Sequence, residues 1–316
     1  MCYAKETWDI IAKQRHSGAA IELKSNALVG YLLALTATAI WSGNFIVARF
    51  LSGSVPPVTL AFLRWATAAV VLLPFAIRPI CRDFRVIRAH LGYISLTAFL
   101  GVTVFNTLIY IAAHTSKAVN LTLIAVSSPI FIALIARLFL KDPLTPHRIV
   151  GLIGATSGVF LLVTEGDLTR IMGLTFSEGD VWMILAAAIF GAYSVLARIK
   201  PVALSSIAFL CSTFVLGLIF LVPWVIWELR NADTINLSST AIAAIVYLGI
   251  GPSLLAFLCW NKAIMIVGPV RSAFVYYSLP VFSGVEALAL LDEPVRFIHV
   301  LSGVLILFGV IVATRK

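Results

Sequence analysis

Charged side chains are scarce in this sequence: Asp, Glu, Lys and Arg make up 12% of 316 residues, and only 14 residues are acidic. A soluble globular domain carries about 25% charged residues, so a surface wetted all round is excluded. The four cysteines, Cys2, Cys81, Cys211 and Cys259, stand in no CxxC or Cys/His spacing, which argues against a zinc or disulfide framework. HExxH, GxxxxGKS/T, GxSxG and a GxGxxG following a strand are all missing, and with them the signals for zinc hydrolysis, ATP hydrolysis, serine chemistry and dinucleotide binding. No cofactor, metal or catalytic residue is implied, and the chain is not read as an enzyme. The net charge of +9 is scattered through short loops rather than gathered on one face, so no nucleic-acid partner is expected.

What the sequence has in abundance is hydrocarbon: 61% of residues are hydrophobic and the mean hydropathy is +1.04. The apolar residues fall into ten runs, 27–50, 57–78, 91–113, 117–140, 147–164, 180–198, 202–228, 240–265, 269–291 and 297–314. Most approach the roughly 20 residues that a helix needs to cross a bilayer, and the fifth, sixth and tenth are a little short. Breakers mark the connections: Pro56-Pro57, Pro79, Pro143 with Pro146, Gly166 to Gly179, Pro201, Gly268-Pro269 and Pro294. The predicted fold class is therefore an all-α integral membrane protein with ten transmembrane helices, its lipid bilayer a constant partner.

The chain is also duplicated. Ser127 to Pro143, SSPIFIALIARLFLKDP, returns 151 residues later as Ser278 to Pro294, SLPVFSGVEALALLDEP. The same offset aligns Ala112 with Ala263 and Gly158 with Gly309, and an offset of 149 aligns Ala39-Ile40, Ala48 and Arg49 with Ala188-Ile189, Ala197 and Arg198. With the N-terminus inside, fifteen basic residues fall on inner segments and five on outer ones, which predicts both termini on the cytoplasmic side of the cell (inner) membrane. Five spans per copy is an odd number, so the second copy enters from the opposite side and the repeats are predicted to be inverted. The expected divisions are a cytoplasmic tail at 1–26, a first repeat at 27–164, an outer connecting loop at 165–179 and a second repeat at 180–316. The tail lacks the order of a cleavable signal; a short amphipathic helix on the inner surface is the alternative to a loose segment.

Over Leu28 to Thr314 the chain resembles the EamA-type members of the drug/metabolite transporter superfamily. The resemblance rests on AIWSGNFIVARF (Ala39 to Phe50), its echo AIFGAYSVLAR (Ala188 to Arg198), AFLRW (Ala61 to Trp65) and the paired proline-to-acid segments. It implies ten transmembrane helices, inward-facing termini, a central cavity and movement of small metabolites, often export of amino acids or related compounds. Inverted halves that exchange conformations supply alternating access, so a secondary transporter drawing on ion or substrate gradients is expected. The competing classes are a membrane-embedded enzyme or lipid-handling protein, for which no convergent catalytic set is present, and a passive channel, for which no ring of like charges is found.

Candidate functional residues are the polar and amphipathic groups inside the runs: Trp41, Asn44, Asn106, Tyr110, Tyr193, Trp260 and Tyr276 are expected to line the cavity, with Asn261 and Tyr277 beside them. Asn44 and Asn106 each offer a donor and an acceptor to a zwitterion, though helix-to-helix bonding explains them equally well. Glu286 is the carboxylate placed well inside a run, and its counterpart in the first copy is Ile135. An acid at that depth is protonated, paired or facing water, which makes it a candidate for coupling to protons or for a gate. Arg64 lies at a similar level, about 10 Å from the outer surface by helical rise, so the two are expected to pair. The alternative is an arginine snorkelling to the lipid edge. Pro129 and Pro280 are expected to kink the fourth and ninth spans. Gly154-x-x-x-Gly158 marks a close helix contact, either internal or between subunits of a homodimer, with monomer and homodimer both open.

Overall fold

The computed structural model describes residues 23–116, 118–143, 145–164, 177–231, 237–291 and 297–314. The expected N-terminal tail lies almost wholly outside these residues, as does most of the expected connecting loop. Within them are α1 (Leu23–Leu51), α2 (Pro57–Ala89), α3 (Leu91–Ala98), α4 (Phe105–Thr115), α5 (Ala118–Ala125), α6 (Ser128–Phe139) and α7 (Pro146–Thr164) in the first copy. The second holds α8 (Glu178–Arg198), α9 (Ser206–Asn231), α10 (Ser239–Leu248), α11 (Ala256–Val267), α12 (Pro269–Tyr276), α13 (Leu279–Leu291) and α14 (Phe297–Thr314). Among the described residues, seven helical stretches are long and apolar enough to cross a membrane, and two shorter apolar helices, Pro146–Leu162 and Val300–Thr314, accompany them. Large apolar side chains such as Val70, Phe75 and Leu138 point outward, as a lipid-facing surface requires.

Each copy breaks its helices at the same places. Between α3 and α4 the chain passes through a π-helical segment, Phe99–Val104, and between α10 and α11 through another, Gly249–Leu255. Pro129 and Pro280 do more than bend a helix, because each stands in the first turn of a new one after a two-residue interruption. The missing proline N–H breaks the ladder here, and a serine marks the break in both copies: the Ser127 hydroxyl and backbone N–H both donate to Ile124 O, and those of Ser278 to Val275 O. Gly268, at φ +90°, makes the turn from α11 to α12 in a conformation that favours glycine. One expected breaker fails: Pro79 lies inside α2, which runs on to Ala89. The extension is held from outside itself, since Asp83 accepts the Ser205 N–H at 2.9 Å.

Contacts between the copies come in exchange pairs. The helix α1 packs on α11 as α8 packs on α4, α1 meets α12 and α13 as α8 meets α5 and α6, and α2·α9 and α7·α14 pair with their own counterparts. Hydrogen bonds within each copy repeat as well: Arg49 donates to Ala113 O and His114 O at the end of α4, and Arg198 donates to Ile264 O and Met265 O near the end of α11. Between the copies the exchange returns. Glu228, late in α9, accepts the Val58 and Thr59 N–H groups at the start of α2, as Asp83, late in α2, caps α9. Because lipid gives no hydrophobic drive for helix association, close packing through small residues has to supply it. The α7·α14 seam does so: a Cβ on Gly151 would meet Gly309 O at 2.5 Å, and one on Gly309 would meet Ala155 N at 2.3 Å. Gly158 faces Ile306 in the same seam, so the glycine motif serves packing within the chain.

Candidate functional site

A small cavity lies where α1, α2, α4, α8 and α12 converge, lined by Trp41, Asn44, Phe45, Arg64, Phe105, Asn106, Ile109, Phe190 and Tyr276. Both copies contribute. Its wall is aromatic: Trp41 sits edge-on to Phe190, Trp260 and Tyr276 at centroid distances of 5.5, 5.3 and 5.9 Å, and Phe105 stacks on Phe190 at 4.8 Å. The Trp41 indole N–H donates to Pro252 O at 2.8 Å, a carbonyl in the second π-helical segment. In this conformation about 10 Å³ is free, room for one water molecule at most. A larger depression of about 670 Å³ lies on the surface beside α7, lined by Ile130, Leu152, Ile153, Thr156, Ser157, Phe160, Leu161 and Thr164. It bears no charged group.

Arg64 projects from α2 into the central cavity and is 1% exposed. Its Nε donates to Ser253 Oγ at 2.6 Å, and its Nη1 to Asn44 Oδ1 at 3.1 Å and to the Tyr110 hydroxyl. The guanidinium also lies 5.3 Å from the Trp65 ring centroid and 5.6 Å from that of Tyr110, within cation–π range. Asn106 donates its Nδ2 to Gly101 O at 3.2 Å in the first π-helical segment.

Glu286 is engaged elsewhere. Ser42 Oγ lies 2.5 Å from its Oε1 and equally close to Ala39 O, and the ion pairs among the described residues are Arg82 with Asp83 and Arg148 with Asp142. The expected Arg64–Glu286 pair is not formed because α1 stands between them. Asn44 reaches Arg64 while Ser42 reaches Glu286, and residues two apart on a helix point about 200° away from each other. Tyr247 lies near this second group, its hydroxyl 2.7 Å from where a Gly43 Cβ would be.

Of the seven cavity candidates, Trp41, Asn44, Asn106 and Tyr276 line the space. Tyr110 reaches it through Arg64. Tyr193 and Trp260 sit one layer back: Tyr193 accepts from Asn261 Nδ2 at 2.7 Å and Trp260 donates to Ser194 Oγ at 3.2 Å. Tyr277 lies farther off, within 3.2 Å of Thr156 Oγ1 on α7. Sequence reasoning missed Phe45, Phe105, Ile109 and Phe190 as lining residues. A signal existed for Phe190, which aligns with Trp41 at the offset of 149; the others are apolar residues among apolar residues.

Comparison with known proteins agrees with this architecture. The model of the EamA-like transporter family matches twice, over residues 28–164 and 177–315. An uncharacterized transporter from Archaeoglobus fulgidus is 27% identical over 293 residues, 92% of this chain and 99% of that protein. A probable terminal-alkyne amino-acid exporter from Streptantibioticus cattleyicolor is 26% identical over 282 residues, 87% of this chain and 90% of that one. A solved crystal structure superposes with a TM-score of 0.68 at 21% identity, covering 90% of this chain and 96% of its own, which speaks to fold alone. Two matched repeats, a lipid-compatible exterior and a site shared between the copies lead to one assignment: the chain is a multi-pass membrane protein that belongs to the EamA-like transporter family.

Proposed function

We propose that this protein is a secondary transporter in the cell membrane that exports small metabolites, amino acids or related compounds, by alternating access. Its ten spans form two inverted five-helix halves with both termini cytoplasmic. The observation that carries the reading is the cavity itself, built from α1, α2 and α4 of one copy and α8 and α12 of the other. Rocking one half against the other changes which side that space opens to. The nearly filled cavity fits an occluded state between the two open ones. The relative from S. cattleyicolor, named as a probable amino-acid exporter, supports the substrate class.

Glu286 is the proposed proton-coupling group. It is a carboxylate inside a span with Ser42 Oγ as its described hydrogen-bonding neighbour and without a described ion-pair partner, the kind of intramembrane acid that marks proton pathways. The test is transport of radiolabelled amino acids, sugars and nucleosides by proteoliposomes, with and without a proton gradient. Amino acids are expected to move and to respond to the gradient, and Glu286→Gln is expected to abolish the response. Unchanged gradient dependence in Glu286→Gln removes the proton role, and no movement of any class above protein-free vesicles contradicts the transport reading.

A further inference from the structure

Arg64 is a permanent cation in the middle of the protein, and every acceptor it has found is neutral. Ser253 Oγ, Asn44 Oδ1 and the Tyr110 hydroxyl take Nε and Nη1, while Nη2 has no hydrogen-bond partner among the described residues. Ser253 is used only as an acceptor here, since its own proton goes to Leu248 O at 2.7 Å. No carboxylate pairs with the guanidinium among the described residues, and Glu286 lies across α1. Burying an arginine inside a membrane protein without a counter-ion is costly. The cost needs a reason.

Packing does not supply one, as the second copy demonstrates. At the equivalent positions Asn44 becomes Tyr193, Tyr110 becomes Asn261 and Arg64 becomes Thr213. There the Asn and Tyr, with places exchanged, bond directly: Asn261 Nδ2 donates to the Tyr193 hydroxyl at 2.7 Å, and Thr213 turns back onto Leu210 O. The same polar pair therefore bonds directly without a cation, leaving Asn261 Oδ1 as a buried acceptor with no partner among the described residues. In the first copy it is opened, and an arginine is set between the two with a free edge at the cavity.

Resting on the transport reading above, we propose that the missing counter-ion is the substrate: Arg64 receives the carboxylate of a small organic acid, and the site selects carboxylate-bearing metabolites over neutral or purely cationic ones. The guanidinium offers Nη2 to the anion, a charge-assisted contact. Asn44 Nδ2 and Asn106 Oδ1, both without described partners, provide a second donor for the carboxylate and an acceptor for an ammonium. Trp41, Phe190 and Tyr276 present apolar faces to the rest of the molecule. The combination fits an α-amino acid with an apolar or aromatic side chain.

The test compares matched probes in proteoliposomes: phenylalanine against phenylalaninamide and phenethylamine, and leucine against leucinamide, each measured above protein-free vesicles. The wild-type protein is expected to move each acid at least about ten-fold faster than its amide, the discrimination that one charge-assisted hydrogen bond supplies. Arg64→Gln is expected to bring the acid down to the amide's rate, with Arg64→Lys in between. Amides moving as fast as acids in the wild-type protein would overturn the assignment while leaving the transport reading intact, and so would an Arg64→Gln variant that folds and keeps the preference. No probe, sugar or nucleoside moving at all would remove the transport reading and this assignment with it. Because the acid-to-amide comparison is made on the wild-type protein, it stands even where Arg64→Gln fails to fold.

Discussion

Arg49 and Arg198 do the same work at equivalent places. Each reaches from the end of the first helix of its copy to two backbone carbonyls at the end of a neighbouring helix, where a cation meets the negative end of the helix dipole. Arg198→Gln is expected to lower unfolding stability by about 1–2 kcal/mol. Arg49→Gln is expected to cost less, because Arg49 is exposed and screened. The two losses should add, since the sites share no partner. Thermal unfolding in detergent of both single variants and the double variant checks this, and an unshifted Arg198→Gln would contradict the contact. Single residues were also where sequence reading fell short. Helical rise gave Arg64 and Glu286 a similar depth, but depth says nothing about which side of α1 each one faces, and that azimuth decides the partner. Phe190 was readable from its alignment with Trp41 and went unread, because an aromatic residue in an apolar run carries no polar mark.

At the level of helices, the seam between α7 and α14 separates two kinds of glycine in one short stretch. A methyl group at Gly309 would press on the backbone of Ala155 at 2.3 Å, whereas one at Gly154 would find its nearest neighbour at 3.5 Å. Gly309→Ala is therefore expected to destabilise by about 1–3 kcal/mol or more through overpacking. Gly154→Ala should be neutral or stabilising by up to about 1 kcal/mol, since alanine favours helix. Equal effects from the two, read as detergent melting temperatures, would mean that the helices do not approach as closely as described. Element existence was legible from the apolar runs and the breakers. The exceptions have physical causes: Pro79 failed to end α2 because Asp83, past the proline, is held by the start of α9, and Pro129 and Pro280 start helices rather than bend them because a proline without its N–H is tolerated in a first helical turn. The two π-helical segments carried no sequence signal beyond Pro252 in one of them.

For the molecule as a whole, the duplication is legible in the sequence, from paired residues at offsets of 149 and 151. The exchange of contacts between the copies follows from it: α1 on α11 answers α8 on α4. The same offsets show where the copies diverge in chemistry, Arg64 against Thr213 and Glu286 against Ile135; what they cannot reveal is that Arg64 enters the shared cavity while Glu286 faces the other side of α1. In the alternating-access mechanism proposed above, the symmetric scaffold does the rocking and the asymmetric lining binds what is carried. The scaffold's polarity is tested most directly by labelling two equivalent, exposed positions, Gly53 and Val202, which are 149 residues apart. In a variant with Cys2, Cys81, Cys211 and Cys259 replaced by serine, Gly53→Cys should react with a membrane-impermeant maleimide added outside intact cells. Val202→Cys should react only after the membrane is opened. Labelling of both from the same side would mean that the two halves run through the bilayer alike, and would contradict the account.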